Sequence, residues 1–553
     1  MTDEPQEVRV HAPSGESSFS VGANERTKRL SELLHQNGLP LNVRCGEEGL
    51  CEGCRIELVK GTVLESDTGI PVTAETAPLS ILACMHRLGP ESVTLQVSTS
   101  SLAFYEPSVL TEFRVNIPYS QDPLWRSDAT ESIVLTGHPI GAAIDVGTTT
   151  VSLLLVDLDN GQVLACASTF NHQMYLGDDV VTRINLCLQD PGQVRRLQEA
   201  LVQKTLRPLL EQAVLEAGIE PRQIVCLTAA GNTTMLHLLA GEDPSPMGAV
   251  PFEPVFLEHR RMPLSAVGMG EPFSSTATLH LLPSAAAYIG ADLTAGVIVS
   301  GLLYEHGPSL LVDIGTNGEI ILKHDDILIG CATAAGPAFE GAGLSHGCRA
   351  GSGAISHIHL STDPFNIMLE VIDDAPPIGL CGSAYIDFLA QGVRLGLLSA
   401  SGRFTTQHCP EAESRLHVTE GQGMLFEVAP GLGISEADIA KLLQAKAAIA
   451  AGILTLLDRA GVSADKVRRL YLAGGFGMNV QVDHAIGCGL LPGMRADQVE
   501  LAGNSSLAGA YVALVDRHLI PQIAKASQQM QVIELNLDPD FEDRYIDELA
   551  LKQ

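Results

Sequence analysis

Two stretches of this chain share one pattern, and that pattern restricts the fold more than any other feature. AAIDVGTTTVSLLLVD at 142–157 and LVDIGTNGEI at 311–320 each run from apolar residues into an Asp, then a Gly-Thr turn, then a second apolar run. Each predicts a strand, a turn and a returning strand: Asp145 with a turn at Gly147–Thr150, and Asp313 with a turn at Gly315–Gly318. A Gly/Thr turn can aim backbone N–H groups and hydroxyls at one spot, and such nests bind phosphate oxygens. The Asp that closes each first strand faces the same spot, where a carboxylate can hold a metal-bound water or place a nucleophile. A single Asp-x-Gly-Thr caps many ordinary hairpins. Its recurrence predicts a duplicated α/β domain with a cleft between its halves.

The sequence around these hairpins fits that plan, because from Gly141 onward strands alternate with helices. A helical stretch holds Asp178–Ile184, and a long amphipathic helix covers about 192–218. QIVCLTAAGNTTMLHLLAG (223–241) predicts strand, turn and helix. The helix N-terminus at Asn232–Thr234 can receive an anion, or Asn232 and Thr233 can simply cap it. An apolar helix is expected over 283–302. The segment 323–355 is dense in Gly and Ala, which suits close approach to a flat ligand or partner, or tight packing. IGLCGSAYIDFLAQGV (378–393) is a second Gly-rich turn into a helix, and Ser435 can cap a helix over 436–458. VRRLYLAGGFG (467–477) predicts a strand ending in Gly474 and Gly475, whose bare backbone can lie against an adenine or ribose.

At 553 residues the chain is too long for one core and predicts two to four domains. No run approaches the roughly 18–20 uncharged apolar residues that span a bilayer, and MTDEPQEVRVHAP lacks the layout of a signal peptide. A cytoplasmic protein with no membrane association is the expectation. The net charge of −31 argues against nucleic acid as a partner, since such binding neutralises phosphates with Lys and Arg.

Of the 12 cysteines, Cys45, Cys51, Cys54 and Cys84 stand apart. The others are scattered, mostly in apolar contexts, as buried reduced thiols would be. The first three lie in NVRCGEEGLCEGCRIELVKG and the fourth in SILACMH, giving C-x5-C-x2-C-x29-C. Three thiolates on one glycine-bearing loop with one distant thiolate suit a [2Fe–2S] cluster. Zinc is the rival, although structural zinc sites tend to use two paired knuckles. Around these cysteines, residues 1–100 predict short strands at 7–11, 17–21 and 92–97. They also predict a helix at 25–37 with Leu30, Leu33 and Leu34 on one face, capped by Asn24 and ended by Gly38. Residues 101–139 lose the periodicity and predict a linker, docked in places because Tyr105, Phe113, Tyr119 and Trp125 suit a solvated tether poorly. Fully extended, it would reach on the order of 100 Å.

The cysteine-bearing segment resembles plant-type and adrenodoxin-like ferredoxins, and the x5 gap resembles the adrenodoxin-like branch. A ferredoxin-like β-grasp domain is implied. Residues 140–553 resemble the acetate/sugar kinase, Hsp70 and actin superfamily through Asp145–Thr150, Asp313–Glu319, Ala473–Gly477 and the turns at Gly231–Thr234 and Gly382–Ser383. That resemblance implies two ribonuclease-H-like α/β halves, about 140–304 and 305–553, closing on ATP and Mg²⁺. By it, Asp145 and Asp313 would organise Mg²⁺ and the attacking water, with Glu319 a further carboxylate near the γ-phosphate; a strand-edge charge is the plainer reading of Glu319. Gly147, Thr148, Thr149, Asn232, Gly315, Thr316 and Asn317 would hold phosphates, and Gly474 and Gly475 the nucleoside.

The fusion, with GDDVVTRI, AAGNTTMLHLLAG, LVDIGTNGEIIL, AAGPAFEGAG, GLCGSAYID, LAGGFG and GNSSLAGA, resembles the reductive activators of corrinoid proteins in methyltransferase systems. The implied activity is ATP-dependent reduction of inactive Co(II) to Co(I) on a corrinoid protein. The electron would come through the cluster from an unidentified low-potential donor. Plant-type clusters sit near −400 mV, and each ~59 mV of mismatch costs tenfold in a one-electron equilibrium, so nucleotide energy has a purpose here. The Gly/Ala-rich stretch 331–354 is the expected corrinoid-facing surface. Some members carry an extra domain for which 101–139 leave no room; a homodimer is compatible with the resemblance. Two other readings stand beside this one: a small-molecule kinase with an accessory cluster, and a nucleotide-binding electron-transfer or regulatory protein without turnover. The activators of 2-hydroxyacyl dehydratases are a cousin that holds a [4Fe–4S] cluster between subunits.

Overall fold

The computed structural model describes residues 6–12, 15–39, 41, 54–75, 77–97, 101, 113–128, 137–177, 179–362, 364–405, 410–419 and 422–552. Cys45 and Cys51 lie outside these. Two compact units share the chain, one built mainly from the residues up to Glu106 and the other from nearly everything after Pro107.

In the first unit, Gln6–Ala12 forms an antiparallel hairpin with Gly15–Val21 and pairs in parallel with Val93–Gln96. Val93–Gln96 in turn pairs antiparallel with the long strand Arg55–Glu65. The alternation that predicts the first strand is real: Val8 and Val10 are buried while Arg9 is exposed. Helix Leu30–Gln36 buries Leu30, Leu33 and Leu34 in the same core. A mixed sheet over one helix is the β-grasp expected of a ferredoxin. The helix is shorter than the 25–37 expected, because Arg29 forms an antiparallel bridge with Arg87 in extended conformation and blocks winding before Leu30. Asn24 therefore sits in a 3-10 turn, Ala23–Glu25, and caps no α-helix. Gly38, at φ +80°, does end it.

The second unit contains the predicted duplication. One six-stranded sheet holds an antiparallel meander, Ile140–Val146, Thr150–Asp157 and Val163–Phe170. Ile224–Gly231 runs parallel beside the first of these, followed by Thr278–Leu281. The other repeats the order, with the meander Ser309–Ile314, Gly318–His324 and Ile327–Thr333, then Arg469–Ala473 and Val499–Gly503 in parallel. Both central strands are buried on two faces, which accounts for their nearly unbroken apolar sequence.

The helices follow their end signals. The stretch 192–217 is helical throughout, with a π turn at Val202–Leu206, and stops at Gly218 with φ +64°. Ser435 and Asp438 form a capping box on Glu436–Arg459. That helix is long and apolar enough to cross a membrane, yet 78% of its most apolar window is buried inside the protein, as in a core helix. The helix expected over 283–302 is confined to Ala291–Val299. Ala285 and Ala286 bond back to Ile289 in a tight turn, so winding starts only after Gly290.

Helix Ser505–Val515 comes from the end of the chain but packs on Ile140–Val146, Ile224–Gly231 and helix Ala291–Val299 in the first half. The Thr228 hydroxyl donates to the Ala510 carbonyl at 2.7 Å. A Cβ on Gly509 would lie 2.3 Å from the Ala295 Cβ, so the two helices meet backbone to backbone. Part of the linker docks on this unit too. Phe113 bridges Gly503, Asn116 N–H donates to Val299 O, Leu124 N–H donates to Leu514 O, and Asp122 pairs with Arg517 at 2.9 Å.

Candidate functional site

The two phosphate-type hairpins of the second unit open onto one cleft of about 310 Å³. Asp145, Gly147, Thr148 and Thr149 line it from the first hairpin, and Asp313, Gly315, Thr316, Asn317 and Glu319 from the second. Asn232, Gly474 and Gly475 complete it. Every site residue expected within 140–553 is thus brought together. Register explains the carboxylates: Asp313 stands directly opposite Glu319 in the antiparallel pair, so both side chains leave the sheet on one face. Glu319 is half-buried and lines the cleft from a strand paired on both sides, so it is no strand-edge charge.

A fourth carboxylate, Asp292 in the first turn of Ala291–Val299, faces the same space. Burial pushes the Asp145 carboxyl up, opposed by hydrogen bonds from Ser506 Oγ (2.7 Å) and Asn504 Nδ2 (2.9 Å). Burial, then repulsion from Asp313, drives Asp292 up to about 8. Burial and Asp145 drive Asp313 up to about 7. Glu319 is held well above the carboxylate range by burial, Asp292 and Asp313. Desolvated, mutually repelling carboxylates lining one cleft fit a hard divalent cation such as Mg²⁺, whose charge relieves that repulsion.

Asn232 settles the capping question with one side chain. Its Oδ1 accepts from Met235 N–H at 3.0 Å, and its Nδ2 donates to Thr148 Oγ1 at 2.9 Å, tying the helix end to the first turn. Gly474 has φ +87°, and a Cβ there would meet Asp313 Oδ1 at 2.5 Å. Only glycine lets the strand end lie this close to the carboxylate. In the second turn, Thr316 Oγ1 donates to Glu340 Oε1 (3.0 Å), and Arg349 pairs with Glu340 Oε2 (3.3 Å). The small residues of 331–354 are partly explained by packing: a Cβ on Gly347 would lie 2.1 Å from Gly341 O. Phe339, Glu340, Cys348 and Arg349 from the same segment line the cleft.

Sequence reading missed Asp292, Asn504 and Ser506. A signal existed for the last two, because LAGNSS at 501–506 repeats the AAGNTT pattern at 229–234. Asn504 caps its helix through Leu507 N–H just as Asn232 does through Met235 N–H.

In the first unit, Cys54 and Cys84 are both buried, and Cys84 N–H donates to Cys54 Sγ at 3.4 Å. The Ala83 N–H also reaches Cys54 O, at 3.1 Å. Backbone N–H donation to sulfur is what stabilises cluster thiolates, so the pair fits two of the four ligands expected.

Comparison with known proteins covers both units. A model of the 2Fe-2S iron-sulfur cluster binding domain matches 1–89. The model described as the RACo middle region matches 140–305, and that of the C-terminal domain of RACo, the ASKHA domain, matches 307–553. The chain is 27% identical to corrinoid activation enzyme RamQ of Eubacterium limosum over 98% of both chains. It is 26% identical to a [Co(II) methylated amine-specific corrinoid protein] reductase of Methanosarcina barkeri, covering 74% of this chain and 76% of that one. Among solved structures, a reductive activator for corrinoid, iron-sulfur protein superposes with TM-score 0.69 at 28% identity, covering 99% of this chain and 98% of the other.

Proposed function

This chain belongs to the family of ATP-dependent reductive activators of corrinoid proteins, and from that membership we propose how its own residues divide the work. Residues 1–100 are the cluster domain, 101–139 a linker docked over 113–128, and 140–553 the ATPase. The observation that carries the reading is the cleft, where four half-buried carboxylates stand between two phosphate-type turns.

When bound, the [2Fe–2S] cluster supplies a one-electron relay and Mg²⁺ neutralises phosphate charge. Cys45, Cys51, Cys54 and Cys84 would hold the cluster, with the Cys84 N–H lowering the charge on Cys54 sulfur. Asp313, Glu319 and Asp292 would take the metal side of the nucleotide. Asp145, oriented by Asn504 and Ser506, would place the attacking water. The Thr148, Thr149, Thr316 and Asn317 groups would bind phosphates, while Gly474 and Gly475 let the nucleoside lie on bare backbone. The substrate is the Co(II) form of a corrinoid protein, reduced to Co(I). Its corrinoid-facing contacts are assigned to 331–354, part of which already borders the cleft. Nucleotide state would set partner affinity by favouring one closure of the halves over another. A low-potential one-electron donor, a cytoplasmic location and a homodimer complete the proposal.

The test is anaerobic. Reduced protein and a Co(II) corrinoid protein are mixed with and without MgATP, and Co(I) absorption is followed. Co(I) should accumulate only with MgATP. Equal accumulation without nucleotide, or phosphate transfer to a small molecule in place of cobalt reduction, would sink the reading.

A further inference from the structure

The two turns correspond in place, but the first spans the four residues between Val146 and Val151 and the second the three between Ile314 and Gly318, and they differ in what stands behind them. The second is held through Thr316 by a carboxylate, Glu340. The first is held by a guanidinium and an amide. Arg183 NH2 donates to Thr148 O at 2.6 Å, Asn171 Nδ2 donates to Gly147 O at 2.9 Å, and Asn171 N–H donates to Thr149 O at 2.8 Å. Three successive carbonyls of the turn are therefore drawn away from the cleft. In a trans peptide the next N–H points opposite to the carbonyl, so the N–H groups of Thr148 and Thr149 are turned away from these donors, on the side where the turn lines the cleft.

The donors are themselves fixed. Arg183 and Asn171 are both fully buried, and so is Gln173. Gln173 Oε1 accepts from Arg183 NH1 (2.9 Å) and from Asn171 Nδ2 (3.1 Å), and Gln173 Nε2 donates to Leu197 O at 3.0 Å. Arg183 enters from helix Val180–Gln189, whose Val181 and Leu188 are exposed. A buried guanidinium is costly to place and loses little of its field to solvent. Set directly behind an anion-accepting turn, it adds positive potential where phosphate charge would accumulate.

We propose that Arg183, assisted by Asn171, is a positioning residue for the nucleotide's terminal phosphates: it fixes the first turn with its N–H groups on the phosphate chain and polarises the cleft. This rests on the nucleotide reading above, but touches neither nucleotide nor metal directly. The guanidinium acts through the Thr148 carbonyl, so its loss should discriminate by phosphate number. Affinity for MgATP should drop while affinity for AMP stays.

The experiment measures calorimetric affinities of the full-length holoprotein for MgATP and AMP, in wild type, Arg183→Met and Arg183→Lys, with thermal melts alongside. Arg183→Met should weaken MgATP on the order of tenfold or more and leave AMP within about twofold. Added guanidinium ion should restore part of the loss. Arg183→Lys, which can engage one acceptor but not the fork, should fall between and decides the matter if the Met variant does not fold. Equal weakening of MgATP and AMP, or no weakening of either, would overturn the proposal. A wild-type protein that binds no MgATP would instead remove the nucleotide reading itself.

Discussion

Asn504 donates a hydrogen bond of 2.9 Å to Asp145, joining a helix cap near the end of the chain to the first carboxylate of the first half. With Ser506 on its other oxygen, Asp145 has both lone-pair sites facing that helix occupied and one orientation left. The role proposed for Asp145 needs a carboxylate held still, because a proton acceptor that swings loses its alignment with the water.

Substitution Asp145→Asn should leave the fold intact, since an amide can accept from Asn504 and donate to the Ser506 hydroxyl, and should reduce partner-stimulated ATP hydrolysis by about 10² or more. The melting temperature should hold or rise, as one half-buried charge is removed from a repelling set. Phosphate release and a thermal melt on the same preparation check both halves of the statement.

Metal should act on the same set. Adding Mg²⁺ to metal-stripped protein should raise the melting temperature even without nucleotide, and Asp313→Asn should shrink that gain. An equal Mg²⁺ response in wild type and Asp313→Asn would show that the ion binds elsewhere.

The cluster and the ATPase should separate on mutation. Cys84→Ser should abolish the visible absorption of the reconstituted protein and the reduction of Co(II), while MgATP affinity stays unchanged. Visible spectra and calorimetry on one sample decide it.

Asp387, buried on helix Gly382–Arg394, accepts from His357 Nδ1 at 2.8 Å and from His484 Nδ1 at 2.6 Å. Burial alone would raise its carboxyl, yet the two histidines carry it below the ordinary value. The hydrogen bond to Asp387 raises His357 above 6.5. A lowered carboxyl adds stability above its unfolded value of about 3.8 and loses it as pH falls through the folded value. A raised histidine adds stability that is full below 6.5 and fades as pH climbs through the folded value. The triad should therefore stabilise most between about pH 4 and 6.5. Asp387→Asn should lower stability by about 3 kcal/mol in that window, as removing one member of a buried charged set does, and less above pH 8. Denaturant titrations at pH 5.5 and 8.5 give the comparison.

Gly382→Ala should weaken nucleotide affinity and stability together. Its new methyl would stand 1.8 Å from Phe339 O, so either the helix start or the 337–340 turn must move, at a cost of about 1–3 kcal/mol. Calorimetry and a denaturant melt measure the two effects.

What could be read in advance follows the range of the interactions. Asp145, Asp313 and the turns after them are local patterns, and local patterns survive into structure. The cap at Ser435, the end at Gly218 and the strand–Asn–helix turn at Asn232 are local as well. Asp292 escaped because a lone Asp in an apolar helix looks like a first-turn charge until the fold sets it opposite Asp313. Asn504 and Ser506 escaped because their partner lies in the other half of the chain. The helix at 25–37 was overextended for the same reason, since nothing near Arg29 announces its bridge to Arg87.

The position of helix Ser505–Val515 bears on how the molecule comes to exist. It forms a wall of the first half's core and carries the groups that orient Asp145, yet it follows the whole second meander in the chain. A nascent chain stopped short of it has the first hairpin but neither its apolar backing nor its fixed carboxylate. Nucleotide competence therefore arrives only once this helix has been made, and a chain cut short before Ser505 should be an unfinished, protease-sensitive fragment.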